Sequence, residues 1–537
     1  MPGSSDSPPR PSSVACLACR RRHVKCDALM PTCTRCQTTL TECQYVRSKR
    51  GLRKRTRESS CKKSGGSEPF IAIDSFPDWL DTIDIPSDLE LDTIKASLQP
   101  LDPTVEDFND YEDGTISLPK TEPVSPDVAY DPLIQLYYQN FHRSHPVMVP
   151  RKALDSICYI IPPHLFAIMR YIGAHYYPNP ILKEEYRQAA FACLSDPTMH
   201  EGFQVQALLL LAIVEHADCH EKSAHQLIQA AVSIALEIEL NKSSYAMEKS
   251  CGHAVLEESW RRTYWELYVV DGLMATMGQQ RSFHLYNEPV NMPLPCAEDM
   301  YNVERVITTG KTLQDLQNDW TLRQDFSAFA YRIKAAQELG RVLELNRSLE
   351  GISDSQIETI DAHLTSSLRA LPPLHADGYD SSCLDEMAFQ AQMILYLALI
   401  YLHHSHSGMR FASYHINPPT SCTFLKATEQ PDSQITPSQT LDLHSHKLLR
   451  AADLLSGLAT LPSAIHQRSP FFTCALAMCI VVHTAALLVV AGSGKEEGLK
   501  TRIQLSIGGL KALGKTWSLS ETIRQQMVGM YHEVVRQ

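Results

Sequence analysis

Six cysteines fall within CLACRRRHVKCDALMPTCTRCQTTLTEC, residues 16 to 43. Their spacing is Cys16-x2-Cys19-x6-Cys26-x6-Cys33-x2-Cys36-x6-Cys43, so the half-pattern C-x2-C-x6-C occurs twice. Thiols this close can hold metal or pair as disulfides. A single tetrahedral zinc takes four ligands and leaves two thiolates spare. Two ions need eight bonds, and six thiolates supply eight when two of them bridge both metals. A binuclear cluster therefore uses every ligand. The N-terminal run MPGSSDSPPRPSS is polar and proline-rich, so no secretory signal is expected. Without secretion, clustered cysteines read as metal ligands ahead of disulfides. The chain's other ten cysteines, such as Cys193 and Cys479, are scattered and read mostly as small core residues.

The two halves differ in their six-residue gaps. After Cys19 the gap reads RRRHVK; after Cys36 it reads QTTLTE, with no cation. Two ions and six thiolates sum to a charge of −2, so Arg20, Arg21, Arg22 and Lys25 exceed what the cluster needs. The first gap has room for about two helical turns. One half can then face a polyanion while the other braces it; a merely solvated basic face is the alternative. After Cys43 comes QYVRSKRGLRKRTRESSCKK. Its Arg47, Lys49, Arg50, Arg53, Lys54 and Arg55 suit phosphate contacts along a duplex. The same run reads as a nuclear localisation signal.

The elements that must position this chemistry follow from composition. The chain has 537 residues, 44% of them hydrophobic, and a net charge of −12. That is a soluble globular composition with room for two or three domains. Residues 1–67 carry 15 Lys and Arg against 4 Asp and Glu, a net of +11. Residues 68–131 carry 2 against 17, a net of −15, which favours disorder. Within the acidic block, residues 74–94 set Phe76, Trp79, Leu80, Ile83 and Ile85 among aspartates. That composition suits docking to a coactivator. A plain linker, or an arm folding back onto the basic module, are the alternatives. Prolines at 69, 77, 86, 100 and 103 interrupt any coiled coil, so the chain is expected as a monomer or as a homodimer without a zipper.

From residue 132 the pattern is helical. Ala224, Leu227, Ile228, Ala231, Ala235 and Ile238 recur mostly at steps of three and four, as do Phe326, Phe329, Ala330 and Ile333. Ser355 and Glu358 read as a capping box for a helix that Pro372-Pro373 stops. Residues 132–537 are expected to be all-α. Catalytic look-alikes fail. His220 and His225 are one residue too far apart for a zincin motif. Gly494-Lys495 lacks the rest of a phosphate loop, and His403, His404 and His406 read as the end of an apolar helix. No catalytic site is assigned and no enzyme is expected. FFTCALAMCIVVHTAALLVVAG, residues 471–492, is long enough to span a bilayer but reads as the central helix of a bundle.

The six cysteines, the Arg-rich first gap, the Lys25-Cys26-Asp27 run and Pro31 closely resemble the fungal zinc binuclear cluster (Zn2Cys6) transcription factors. The resemblance implies two zinc ions, with Cys16 and Cys33 as the bridging thiolates. It also implies a helix after Cys19 that enters the major groove of double-stranded DNA at CGG-like triplets. His23 stands where the family often has lysine; an imidazole lacks that permanent charge, so the departure bears on which triplet is read. Three later stretches resemble the family's middle homology region: LIQLYYQNFHRSHPVMVP at 133, ALLLLAIVEHADCHEKSAHQLIQAAVSIALEIEL at 207, and EESWRRTYWELYVVDGL at 257. The last runs on to VNMPLPCAEDMY at 290, and Gly272 departs from the usual arginine. This second resemblance implies a helical regulatory domain, with a small-molecule effector or a restraint on activation.

The expected organisation is a disordered tail (1–15), a zinc cluster domain (16–43), a basic arm (44–67), an acidic disordered linker (68–131) and an all-α regulatory domain (132–537). The expected function is a nuclear, zinc-dependent DNA-binding regulator of RNA polymerase II genes in a metabolic or secondary-metabolite pathway. A zinc-stapled protein-interaction adaptor is the alternative; it leaves the one-sided RRRHVK unexplained.

Overall fold

Asp131, Asn179, Ser353, Asp385 and Asp442 each cap the start of a helix with a side-chain oxygen. A computed structural model describes residues 26–27, 32–39, 128–195, 201–278, 280, 282–303, 310–318, 326–347, 352–374, 384–409, 411, 442–490, 494 and 496–536. The chain divides into two units, residues 1–115 and 116–537. In the first, the described residues include one short helix, α1 (Thr34–Thr38).

The second unit is helical, and an isolated bridge joins Lys242 and Asn291. Its first helix, α2 (Pro132–Leu136), is capped by Asp131, whose carboxylate accepts from the Leu133 and Ile134 amides. Asp131 also pairs with Arg170 at 2.7 Å. The sequence reading left Asp131 in the acidic linker; the structure makes it a working part of the helical unit. Next come α3 (Pro163–Ala174), α4 (Pro180–Ala192), α5 (Glu201–Ala217), α6 (Glu221–Glu237) and α7 (Ala254–Met277). They are followed by α8 (Ala328–Arg347), α9 (Asp354–Ala370), α10 (Glu386–His404), α11 (Leu443–Gly457), α12 (Phe472–Val490), α13 (Glu496–Leu513) and α14 (Ser518–Arg536). Helix α5 packs on α6, α8 on α10, α10 on α11, and α12 on α11, α13 and α14.

The periodic residues face inward as their spacing predicts. Ala224, Leu227, Ile228, Ala231 and Ala235 of α6 are buried, as are Phe329, Ala330 and Ile333 of α8. The capping box differs from expectation. Ser353, not Ser355, is the N-cap of α9, and its box closes with Gln356 rather than Glu358. The earlier register places Ile352 just before the cap, packed on the core, and the buried Ile357 at the fourth helical position. Those are the two positions of a hydrophobic staple, which the later register would fill with Asp354 and Thr359. Helix α12 is apolar enough to cross a bilayer, yet Phe472 through Leu487 are buried inside the helical unit.

Helix α7 carries the charges. Glu258, Arg261, Arg262, Glu266 and Asp271 are all buried on it. Burial disfavours an isolated charge, so each needs a partner. Arg332 of α8 holds Glu266 with both terminal nitrogens, one at 2.5 Å and one at 2.8 Å. His145 Nδ1–H donates to the same carboxylate at 2.8 Å. Burial alone would raise the Glu266 carboxyl, but Arg332 and His145 bring it down to about 2.

Two consequences follow for stability. Arg332→Met strands a buried carboxylate and should cost roughly 3–5 kcal/mol in urea unfolding. The double variant Glu266→Gln/Arg332→Met should recover a large part of that loss, because Gln still accepts from His145; strict additivity would refute the pairing. A carboxyl whose pKa falls on folding, from 4.5 to about 2, stabilises fully above pH 4.5. That contribution disappears as pH drops toward 2, and Glu266→Gln should blunt this part of the acid transition.

Candidate nucleic-acid interface

A helix of five residues cannot stand alone, and α1 shows what holds its first turn. Cys33 is the N-cap, in extended conformation at φ −67° and ψ 149°, and its sulfur accepts from the Cys36 amide at 3.4 Å. The Thr34 amide donates to the Asp27 carboxylate at 3.2 Å, and the Thr34 hydroxyl bonds to the same group. Two of the amides that a helix start leaves unpaired are thus satisfied, one by sulfur and one by Asp27. Cys33 is 0% exposed and Cys36 3%. Thr34, Arg35, Gln37 and Thr38 face solvent.

The sulfurs of Cys26 and Cys33 and an Asp27 oxygen lie within 4.8 Å of one another. Thiolates sharing a tetrahedral zinc at about 2.3 Å each lie about 3.8 Å apart, inside that limit. Cys26 ends the first half-pattern and Cys33 opens the second, so the two halves meet where a shared metal would sit. Asp27 spends its oxygens on Thr34, which makes it the brace of the ligand helix. Cys16, Cys19 and Cys43 lie outside the described residues. So do Arg20, Arg21, Arg22, His23, Lys25, Arg47, Lys49, Arg50, Arg53, Lys54 and Arg55, and the segment 74–94.

In the helical unit, the motif-bearing stretches converge on α7. Gln206 of α5 donates to Ser259 and Thr263 at 3.0 and 2.8 Å, and Ser259 donates to the Val147 carbonyl at 2.7 Å. Arg262 donates to the Cys296 carbonyl at 3.0 Å and to Glu298, and it lies 4.0 Å from the centre of the Tyr301 ring. Trp265 donates to the Pro293 carbonyl at 2.9 Å. Asp271 accepts from His284 and from the Leu285 amide, both at 2.9 Å. A Cβ added at Gly272 would meet Phe283 at 3.3 Å, so the departing glycine leaves room for that ring.

Sequence reasoning missed one buried chain. Ser469 Oγ lies 3.1 Å from His145 Nε2, and His145 Nδ1 bonds to Glu266, in the connectivity of a hydrolytic triad. All three residues are 0% exposed, and Arg332 locks the carboxylate. It is a structural tie; no spacing in the sequence announces it, because its members are more than 120 residues apart. His220 sits before α6, and His225 donates to the Glu221 carbonyl at 2.9 Å, in keeping with their rejection as a metal pair.

Residues 14–52 match the fungal Zn(2)-Cys(6) binuclear cluster domain, and residues 134–362 match the fungal specific transcription factor domain. The chain is 30% identical, over 97% of its length and 80% of the relative's, to the C6 finger domain transcription factor iacK of Pestalotiopsis fici. The chain belongs to the fungal Zn2Cys6 transcription factors. It is also 22% identical, over 58% of its length and 46% of the relative's, to an uncharacterized transcriptional regulatory protein of Schizosaccharomyces pombe. No solved structure matches it. A Zn2Cys6 factor binds zinc and DNA and is not an enzyme. The helical match ends at residue 362, inside α9, so α10 to α14 lie beyond the matched residues.

For this Zn2Cys6 factor, Asp27→Ala should remove the bond to the Thr34 amide, worth about 1 kcal/mol as a lost cap. Zinc should pass to a chromogenic chelator at a lower chelator concentration, whereas Arg35→Ala should leave the titration unchanged. Identical curves for Asp27→Ala and wild type would show that Asp27 does not brace the site.

Proposed function

We propose that the chain is a nuclear, zinc-dependent, sequence-specific regulator of RNA polymerase II genes in a metabolic or secondary-metabolite pathway. Its cluster holds two zinc ions on Cys16, Cys19, Cys26, Cys33, Cys36 and Cys43. The observation that carries this reading is the approach of Cys26 to Cys33 across the two half-patterns. Contact between the halves is what a binuclear cluster requires. The RRRHVK gap then reads bases through Arg22, His23 and Lys25, with Arg20 and Arg21 near the backbone. Arg47, Lys49, Arg50, Arg53, Lys54 and Arg55 hold phosphates. Residues 74–94 dock a coactivator, because large apolar and aromatic groups set among acids serve neither a spacer nor a shield. The helical unit takes an effector or a second copy of the chain.

Native mass spectrometry should show two more zinc ions on the wild-type chain than on a chain with Cys16, Cys19, Cys26, Cys33, Cys36 and Cys43 replaced by serine. One ion there, or intact disulfides among the six cysteines, would overturn the cluster assignment.

Binding curves separate charge from readout. Replacing Arg53, Lys54 and Arg55 with alanine should weaken every duplex alike and flatten the salt slope by about 0.9 per lost phosphate contact. His23→Lys should instead reorder the preferred triplets, by roughly 1–3 kcal/mol per altered base contact. An unchanged ranking would remove His23 from the reading surface.

A further inference from the structure

The histidines after the apolar stretch of α10 do more than end a helix. His403 is 0% exposed in the last turn of α10, and its Nε2–H donates to Asp361 of α9 at 3.0 Å. That bond leaves the Nδ1 lone pair pointing the other way, toward Nδ1 of His444 in the first turn of α11, 3.0 Å off. His406 follows in a turn closed by its amide on the His403 carbonyl at 3.2 Å. Its ring centre lies 5.7 Å from that of His444, and the His403 and His444 centres are 5.2 Å apart. His406 Nε2 is buried with no hydrogen-bond partner among the described residues.

We propose that His403, His444 and His406 form a binding site for a divalent transition-metal ion of the zinc class, separate from the cysteine cluster. Ring nitrogens about 2.0–2.1 Å from a tetrahedral ion lie about 3.3 Å apart, near the 3.0 Å between the His403 and His444 nitrogens, while the His406 nitrogens stand farther off than bound ligands do. Imidazole nitrogen is a ligand that such ions favour. Asp361 supplies what a metal-binding histidine normally has, a carboxylate on its other ring nitrogen. It is held in turn by Lys447 at 2.8 Å. Burial, then the neighbouring His444 and His403, lower the His406 pKa against the pull of Asp354, which favours the neutral imidazole that a metal takes; Asp442 acts on His444, and Lys447 is committed to Asp361. Binding needs His444 to move its ring proton from Nδ1 to Nε2 and His406 to rotate a nitrogen toward the pair. Water completes the coordination. The ion would fasten α9, α10 and α11 at one end.

Cobalt(II) is the probe, added to the full chain with its cluster zinc left in place. Wild type should gain the visible bands of cobalt bound by nitrogen and oxygen, without the near-ultraviolet thiolate charge transfer of a cysteine site. His444→Gln and His406→Gln should abolish those bands while far-ultraviolet circular dichroism stays that of wild type. Asp361→Asn, a change at a positioning residue, should weaken binding about 10–100-fold and leave the band shape intact. No cobalt bands in wild type, thiolate-type bands alone, or unaltered binding in both glutamine variants would reduce the site to a hydrogen-bonded histidine pair and overturn the proposal.

Discussion

On the proposed reading, the DNA-binding end of this protein depends on metal–sulfur bonding, because its sequence offers almost nothing else to bury. Apart from its cysteines, the segment 16–43 offers Leu17, Val24, Leu29, Met30 and Leu40 as its larger apolar side chains. Chains of that length rarely support a hydrophobic core without metals or disulfides. Cys33 and Cys36 are nevertheless buried, and a sulfur caps the helix that carries them. The cysteines take the place of a core.

The helical unit solves the opposite problem. It has apolar surface in abundance and has to manage the charges enclosed in it. Helix α7 puts Glu258, Arg262 and Glu266 into the interior, and each is matched by a partner from a different stretch: Glu298 and the Cys296 backbone, Arg332, and His145. A mismatch in any stretch would leave a buried charge exposed to the full penalty of desolvation. The residues that look most chemical, including the Ser469–His145–Glu266 chain, are therefore fasteners between helices.

Much of this was legible in the sequence, for identifiable reasons. Cysteine spacing is local and chemically demanding, so the cluster family could be read directly. Helices with a strong apolar face, such as α6, announced themselves by period. The start of α9 was misread by two residues because Ser353-x-x-Gln356 and Ser355-x-x-Glu358 are both capping boxes, and only the packing of Ile352 and Ile357 chooses between them. The capping of α2 by Asp131 was hidden by an acidic neighbourhood in which every aspartate looks alike. The ion pairs of α7 and the histidine cluster at α9, α10 and α11 join residues far apart in the chain, which no local pattern encodes.

The central claim is that sequence-specific DNA recognition rests on the zinc cluster. It is tested most directly by selecting bound duplexes from random DNA with the full-length chain, first zinc-loaded, then chelated, then restored with zinc. The account predicts a clear enriched triplet in the loaded protein, its loss on chelation, and its return when zinc is restored. The same triplet enriched equally without zinc, or no enrichment by the loaded protein, would contradict it.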